Sequence, residues 1–306
     1  MTRPLALSTM YAQQERFADG AEFARFVESM GYDAIEVSHS TPVEKIEALA
    51  RHGFPITSWH QPAPYARHSN GRGNSHVNLA STDEDERLAA VDYAARSIEW
   101  ASRFGARKLV VHLGQVTDVS EQFEEELEMR RMFDRGEADS DRFPELREDA
   151  SRRRGQGAEI HLEAARRSLL DLVRLAEPHH IAIGLENRYH YHEIPHPDEY
   201  EQLLDGLSPE QAGYWHDTGH AEVLHRLGFI DRNAWLERWS GRCIGAHLHD
   251  VLGIGDHRSP GDGDVRWDYI VRGVNHLPGF TLEINQHQPD ERVRDAIAFL
   301  AAIGLR

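Results

Sequence analysis

Residues 103–114 read RFGARKLVVHLG. Gly105 ends a helical stretch, and the apolar run behind it has the length and β-branched content of a buried strand closing on His112. The same helix–glycine–strand unit appears in MGYDAIEV (30–37). Working outward, strand-like runs fall at LALSTM (5–10), AIEVSH (34–39), PITSWH (55–60), KLVVHLG (108–114), IAIGLEN (181–187), GYWHDT (213–218), CIGAHLH (243–249) and FTLEI (280–284). Amphipathic helices are expected between them, over about 19–30, 42–52, 83–104, 158–177, 197–206, 231–240, 267–276 and 290–302, with STDEDERL (81–88) supplying a Ser/Thr cap and an acidic first turn to the third. Eight such alternations predict a parallel sheet. At 306 residues they predict one closed (β/α)8 TIM barrel, an α/β domain spanning 1–306, rather than an open doubly wound sheet. No G-x-G-x-x-G follows the first strand, which removes the main argument for a dinucleotide fold.

Two stretches exceed a minimal barrel. Residues 115–157 follow the fourth strand and are dense in both charge signs. They read either as a solvated helical excursion or as a lid or oligomer contact over the barrel mouth, because the loops after strands lie on the active-site face. The loop 61–81 follows the third strand on the same face, where Tyr65, Arg67 and His68 are set either to touch a substrate or to stay exposed.

The chain carries a formal net charge of −17, which disfavours a nucleic-acid partner. Its single cysteine, Cys243, rules out an intrachain disulfide and suits a reducing compartment. No run reaches the ~18 apolar residues of a membrane span and the N-terminus lacks a signal-peptide core, so a soluble, cytoplasmic protein is expected, with homo-oligomerisation open. Twenty histidines are many for this length.

The C-terminal ends of barrel strands ring one mouth, and here those ends are His39, His60, His112, Glu186, Asp217, His247 and Glu283, with His220 three residues past Asp217 and His257 in the loop after strand seven. Glu186 and Glu283 close otherwise apolar strands, where a carboxylate needs a partner. A divalent metal would neutralise both and account for the histidines at once; an O/N donor set suits Mn²⁺, Co²⁺, Zn²⁺ or Mg²⁺ without choosing among them.

The motifs VVHLG (110–114), GLEN (184–187), HDTGHA (216–221), HLHD (247–250) with the following DHRSPGDGD (256–264), and TLEI (281–284) together resemble the xylose isomerase-like barrel superfamily, which includes sugar-phosphate isomerases and epimerases and the endonuclease IV branch. The resemblance implies a metal held by Glu186, Asp217, His247 and Glu283. It also implies proton transfer by Glu186 and Glu283 through an enediolate of a sugar or polyol-like substrate. His112 and His220 would orient hydroxyls, His249 would support the site or bind beside it, and Trp59, Trp215 and Trp267 are candidates to pack on a sugar ring or to fill the core. The endonuclease branch uses further histidines for a zinc cluster, which would fall on His60, His112, His220 and His257. That branch also places an aspartate two residues before the loop histidine; here that position is Gly255 and Asp256 is displaced by one, which weighs against a third metal. Zinc-dependent cleavage of abasic DNA and a sugar lyase or dehydratase are the alternatives to isomerisation.

Overall fold

The computed structural model describes residues 2–117 and 123–306. Eight parallel strands close into a barrel: β1 (Leu5–Ser8), β2 (Ala34–Val37), β3 (Ile56–His60), β4 (Lys108–Val111), β5 (Ala182–Glu186), β6 (Ala212–Asp217), β7 (Cys243–Leu248) and β10 (Phe280–Leu282), with β10 joining β1 to β7. A two-stranded antiparallel hairpin, β8 (Asp250–Leu252) with β9 (Gly255–Arg258), projects after β7. The strands stop one to three residues short of several expected ends, because the apolar and histidine-bearing residues there continue as loops over the mouth.

The helices follow the expected positions: α1 (Gly20–Met30), α2 (Val43–His52), α3 (Glu84–Arg103), α6 (Ala158–Ala176), α7 (Tyr200–Leu204), α9 (Asn233–Trp239), α10 (Trp267–Val274) and α11 (Asp290–Ala302). In α1, Phe23, Ala24, Val27 and Met30 face inward at helical spacing, and the Asp19 carboxylate accepts from the Ala21 N–H to cap the start. Each large apolar side chain so buried contributes about 1.5–3 kcal/mol. The cap of α3 is Asp83, whose side chain accepts from Asp85 N, rather than Ser81 or Thr82.

Helix α8 (Thr218–Arg226) was not expected; Asp217 caps it by accepting from His220 N at 2.7 Å. The charged stretch after β4 folds into α4 (Glu124–Asp134) and α5 (Arg142–Gly155), its residues 118–122 lying outside the described residues. It is not a solvated excursion. Phe123, Met129, Met132, Phe143, Leu146 and Ala150 are buried in the core. Its charges also grip the loop after β5: buried Glu126 accepts from Arg130 and Tyr191 N and lies 2.9 Å from His190 Nδ1, while Arg154 pairs with Glu199 at 2.7 Å. No helix among the described residues is long and apolar enough to cross a membrane.

Register aligns the barrel floor beneath the mouth. Asp217 is the Cα partner of His247, His247 of Thr281, and Glu36 of both Ser8 and Ser58. The Trp215 ring fills the barrel below His247, and it fits because position 245 is glycine; a Cβ there would lie 2.1 Å from the ring.

Candidate metal centre

β5, β6, β7 and β10 each deliver one side chain to the same point. Glu186, Asp217 and His247 end or nearly end their strands, and Glu283 directly follows β10. One potential ligand atom from each lies within 4.8 Å of all the others, and all four residues are buried. The His247 ring organises the group: Nδ1 lies 2.6 Å from Glu186 Oε1, 3.0 Å from Glu283 Oε2 and 3.7 Å from Asp217 Oδ2. Burial alone would raise the pKa of each of these three carboxyls. His247 beside Glu186 and Glu283, and His220 and His249 beside Asp217, override it and hold all three well below the usual carboxylate range. Burial likewise opposes charge on His247, but Glu36, Glu283 and Glu186 hold it well above the ordinary histidine value.

Two further groups adjoin the first. Glu186 Oε2 lies 2.8 Å from His112 Nε2 and 3.6 Å from His60 Nε2, so Glu186 reaches both groups with separate oxygens. Asp217 reaches the other, in which His220, His249 and His257 gather around it. His249 Nδ1 accepts from the His257 backbone N–H at 2.9 Å, which leaves its Nε2–H to donate to Asp217 at 2.9 Å. The two rings stack at 4.3 Å. Gly219, inside HDTGHA, makes this approach feasible, since a Cβ would fall 2.1 Å from the His249 ring. Asp256 does not join that group; it lies 3.0 Å from His257 Nδ1 and sets the ring. Asp250 accepts from Val251 N, Gly261 N, Val265 N and Trp267 Nε1, and thereby pins the SPGDGD turn.

Beside these groups opens a pocket of about 650 Å³, lined by His39, Gln61, Pro62, Ser75–Asn78, His112, Gly114 and Gln115, by Glu124, Leu127 and Arg153 of the insertion, and by Arg188, His190, His192 and Glu193 of the loop after β5; of the three groups only His112 lines it, and Arg188 joins it to Glu186. The insertion therefore forms part of the pocket wall. His39 presents Nδ1 without a hydrogen-bond partner among the described residues; burial pushes its pKa down to about 4 and keeps it neutral. His112 is also held neutral, by burial and then by Arg188.

Two alternatives left open by the sequence are decided by the structure. Trp59 packs outward against Phe104 and Trp100, Trp215 lies in the barrel interior below His247, and Trp267 packs on Phe299, so none of the tryptophans lines the pocket. Tyr65, Arg67 and His68 also stay out of it: Arg67 bonds within its own loop and His68 meets Tyr93 of α3. Two residues were missed. Glu36, fully buried on β2, lies 2.9 Å from His247 Nε2. Arg188 donates from Nη1 to Glu186 Oε2 at 2.7 Å and pairs with Glu193. A carboxylate inside the apolar run AIEV carried the same signal as Glu186; Arg188 is placed by loop geometry and carried none.

The donor set fits a divalent cation. Glu36, Glu186, Asp217 and Glu283 crowd four carboxylates into the barrel centre, against the His247 ring and an Arg188 already shared with Glu193. The three oxygen donors and one imidazole nitrogen of the first group match borderline and hard divalent ions.

A closed parallel barrel with such a cluster at the C-terminal strand ends defines the class: an α/β-barrel with a candidate metal site at its mouth. The chain belongs to the xylose isomerase-like TIM barrel family, whose sequence profile matches residues 24–303. No curated protein sequence matches it. Among solved structures it is similar to a D-tagatose 3-epimerase-like protein, at 17% identity and TM-score 0.67, covering 98% of this chain and 96% of that one. It is similar also to a 3-keto-D-glucoside 4-epimerase from E. coli, at 15% identity and TM-score 0.67, covering 98% and 100%. A Thermus thermophilus protein soaked with ZnCl2 matches at 18% identity and TM-score 0.61, covering 98% and 97%. At these identities the likeness is one of fold.

Proposed function

We propose that the protein is a divalent-metal-dependent isomerase or epimerase acting on a sugar or polyol-like ketose. The observation that carries this reading is the convergence of Glu186, Asp217, His247 and Glu283, all buried, with His112 and Arg188 linking Glu186 to the polar pocket that they line. The sugar epimerases among the structural neighbours support the substrate class.

A divalent cation held by these four residues would supply positive charge to adjacent carbonyl and hydroxyl oxygens of the substrate. The chain's own groups move the proton. One of Glu186 and Glu283 takes it from the carbon beside the carbonyl, and the other returns it to the enediolate. Neutral His112 and unpartnered His39 Nδ1 line the pocket and are suited to orient hydroxyls without competing for that proton. The insertion and the loop after β5 supply part of the wall of the pocket that would take the substrate. One buried cysteine, Cys243, suits a reducing cytoplasm.

A second reading, a multi-zinc phosphodiesterase acting on abasic DNA, draws on the two flanking groups of potential ligands. Two observations weigh against it: Arg188 already supplies positive charge to the Glu186 oxygen that a cation at His60 and His112 would need, and the chain carries a net charge of −17. The test is metal analysis of protein purified without chelator, with paired assays on a ketose panel and on abasic DNA. One metal per chain with sugar turnover supports the proposal. Two or three zinc ions with strand cleavage overturn it, and loss of water from the sugar assigns the site to a lyase instead.

A further inference from the structure

The ring of His247 is held from both sides. Nδ1 faces Glu186 and Glu283, while Nε2 lies 2.9 and 3.1 Å from the two oxygens of Glu36. Glu36 comes from β2, across the barrel, is fully buried, and is absent from the four-residue group. Its own position is fixed: Ser58 Oγ donates to Glu36 Oε2 at 2.7 Å, and the two residues are Cα partners in adjacent strands.

From this geometry we infer that Glu36 is the positioning residue of the metal centre, committing His247 to the tautomer that offers Nδ1 to a cation. The inference rests on the proposed function above. A neutral imidazole has one N–H and one lone pair. Without a cation, carboxylates face both nitrogens and both carry a proton; a cation must displace one of them, and the Glu36 carboxylate, which only accepts, keeps the proton on Nε2 so that the freed lone pair is that of Nδ1, facing Glu186, Asp217 and Glu283. In the opposite tautomer Nδ1–H would donate to Glu186 and Glu283 and close the group against a cation. Glu36 makes that tautomer unfavourable, because it would set the Nε2 lone pair against a buried carboxylate. Carboxylate partners of ligating histidines typically change metal affinity by about 10- to 100-fold.

The test uses the full chain and its Glu36→Gln variant, a substitution of equal size whose amide can donate to Nε2 and so accepts either tautomer. Mn²⁺ affinity is read by electron paramagnetic resonance of the free ion. The tautomer is read from ¹⁵N shifts of His247 in histidine-labelled, Zn²⁺-loaded protein. The expected result is Mn²⁺ binding weakened about 10- to 100-fold, a shifted Nε2 resonance as an amide replaces the charged acceptor, and little change in the thermal unfolding of the metal-free chain. Equal affinity within a factor of two, with an unchanged ¹⁵N pattern, overturns the inference and leaves the proposed function standing. If the wild-type chain binds no Mn²⁺, the proposed function itself fails. If Glu36→Gln does not fold, Ser58→Ala decides: it keeps the carboxylate but frees one oxygen, so weaker Mn²⁺ binding supports the inference and unchanged binding overturns it.

Discussion

Nη1 of Arg188 donates to Oε2 of Glu186 at 2.7 Å, with both side chains buried at the barrel mouth. Glu186 Oε1 is left to His247 and the four-residue group. The arginine thus divides the two oxygens of one carboxylate, one toward the candidate cation and one toward a fixed positive charge.

Replacing Arg188 by methionine removes that division. Sugar turnover is expected to fall about 10-fold or more, because a fixed charge in a dry site is lost. Glu186 Oε2 then becomes available to His60 and His112, so the zinc content after saturation and desalting should rise above that of the wild type. An unchanged stoichiometry would show that the guanidinium does not exclude a second ion.

Glu283→Gln keeps the shape of the site but removes its ability to accept a proton. Turnover is expected to drop about 10³-fold, with circular dichroism and thermal unfolding of the metal-free chain close to wild type. Retained full turnover would remove Glu283 from proton transfer.

Glu126 links the insertion to the active-site loop through Arg130, His190 and the Tyr191 N–H. Glu126→Ala leaves the buried Arg130 without its carboxylate, a loss of about 3 kcal/mol measurable by urea unfolding. Because the same loop carries Arg188 and Glu193 into the pocket, KM should rise with it. A variant of unchanged stability would mean that the insertion is not anchored through this residue.

Glu193 gives a pH dependence of defined sign. Burial pushes its pKa up, but Arg188 beside it, with His190 and His192, outweighs burial and brings it from the ordinary 4.5 down to about 2. A carboxyl depressed in the folded state stabilises fully above about 4.5 and loses that contribution as the pH falls toward 2. The shift corresponds to roughly 3 kcal/mol. The stability gap between wild type and Glu193→Gln should be full at pH 7 and narrow progressively below pH 4.5, read from urea midpoints. A gap independent of pH would remove the ion pair with Arg188 as its source.

The barrel was legible in the sequence because the strands announce themselves by apolar runs and several helices by a glycine stop, as in RFGARKLVVHLG. Helix α8 escaped because its opening, DTGHA, reads as site chemistry, and Asp217 serves as both cap and candidate ligand. Reading strand ends brought out Glu186, Asp217, His247 and Glu283 together. It passed over Glu36, which sits within β2 and reaches His247 only because the closed barrel brings β2 within three strands of β7. Strand alternation separates Trp59 from its neighbour His60, which sends the tryptophan outward. Trp215 shares a face with Asp217 and differs only in depth, which a linear pattern does not encode. The insertion's charges suggested solvent, yet several are buried pairs that only the loop after β5 completes.

Deuterium exchange tests the central claim most directly. With a ketose panel in D₂O and a divalent metal present, the account predicts that ¹H NMR loses the signal of a proton on the carbon beside the carbonyl as an epimer or isomer accumulates, and that Glu283→Gln abolishes both. Cleavage of abasic DNA by the same preparation, with no exchange into any ketose, would contradict it.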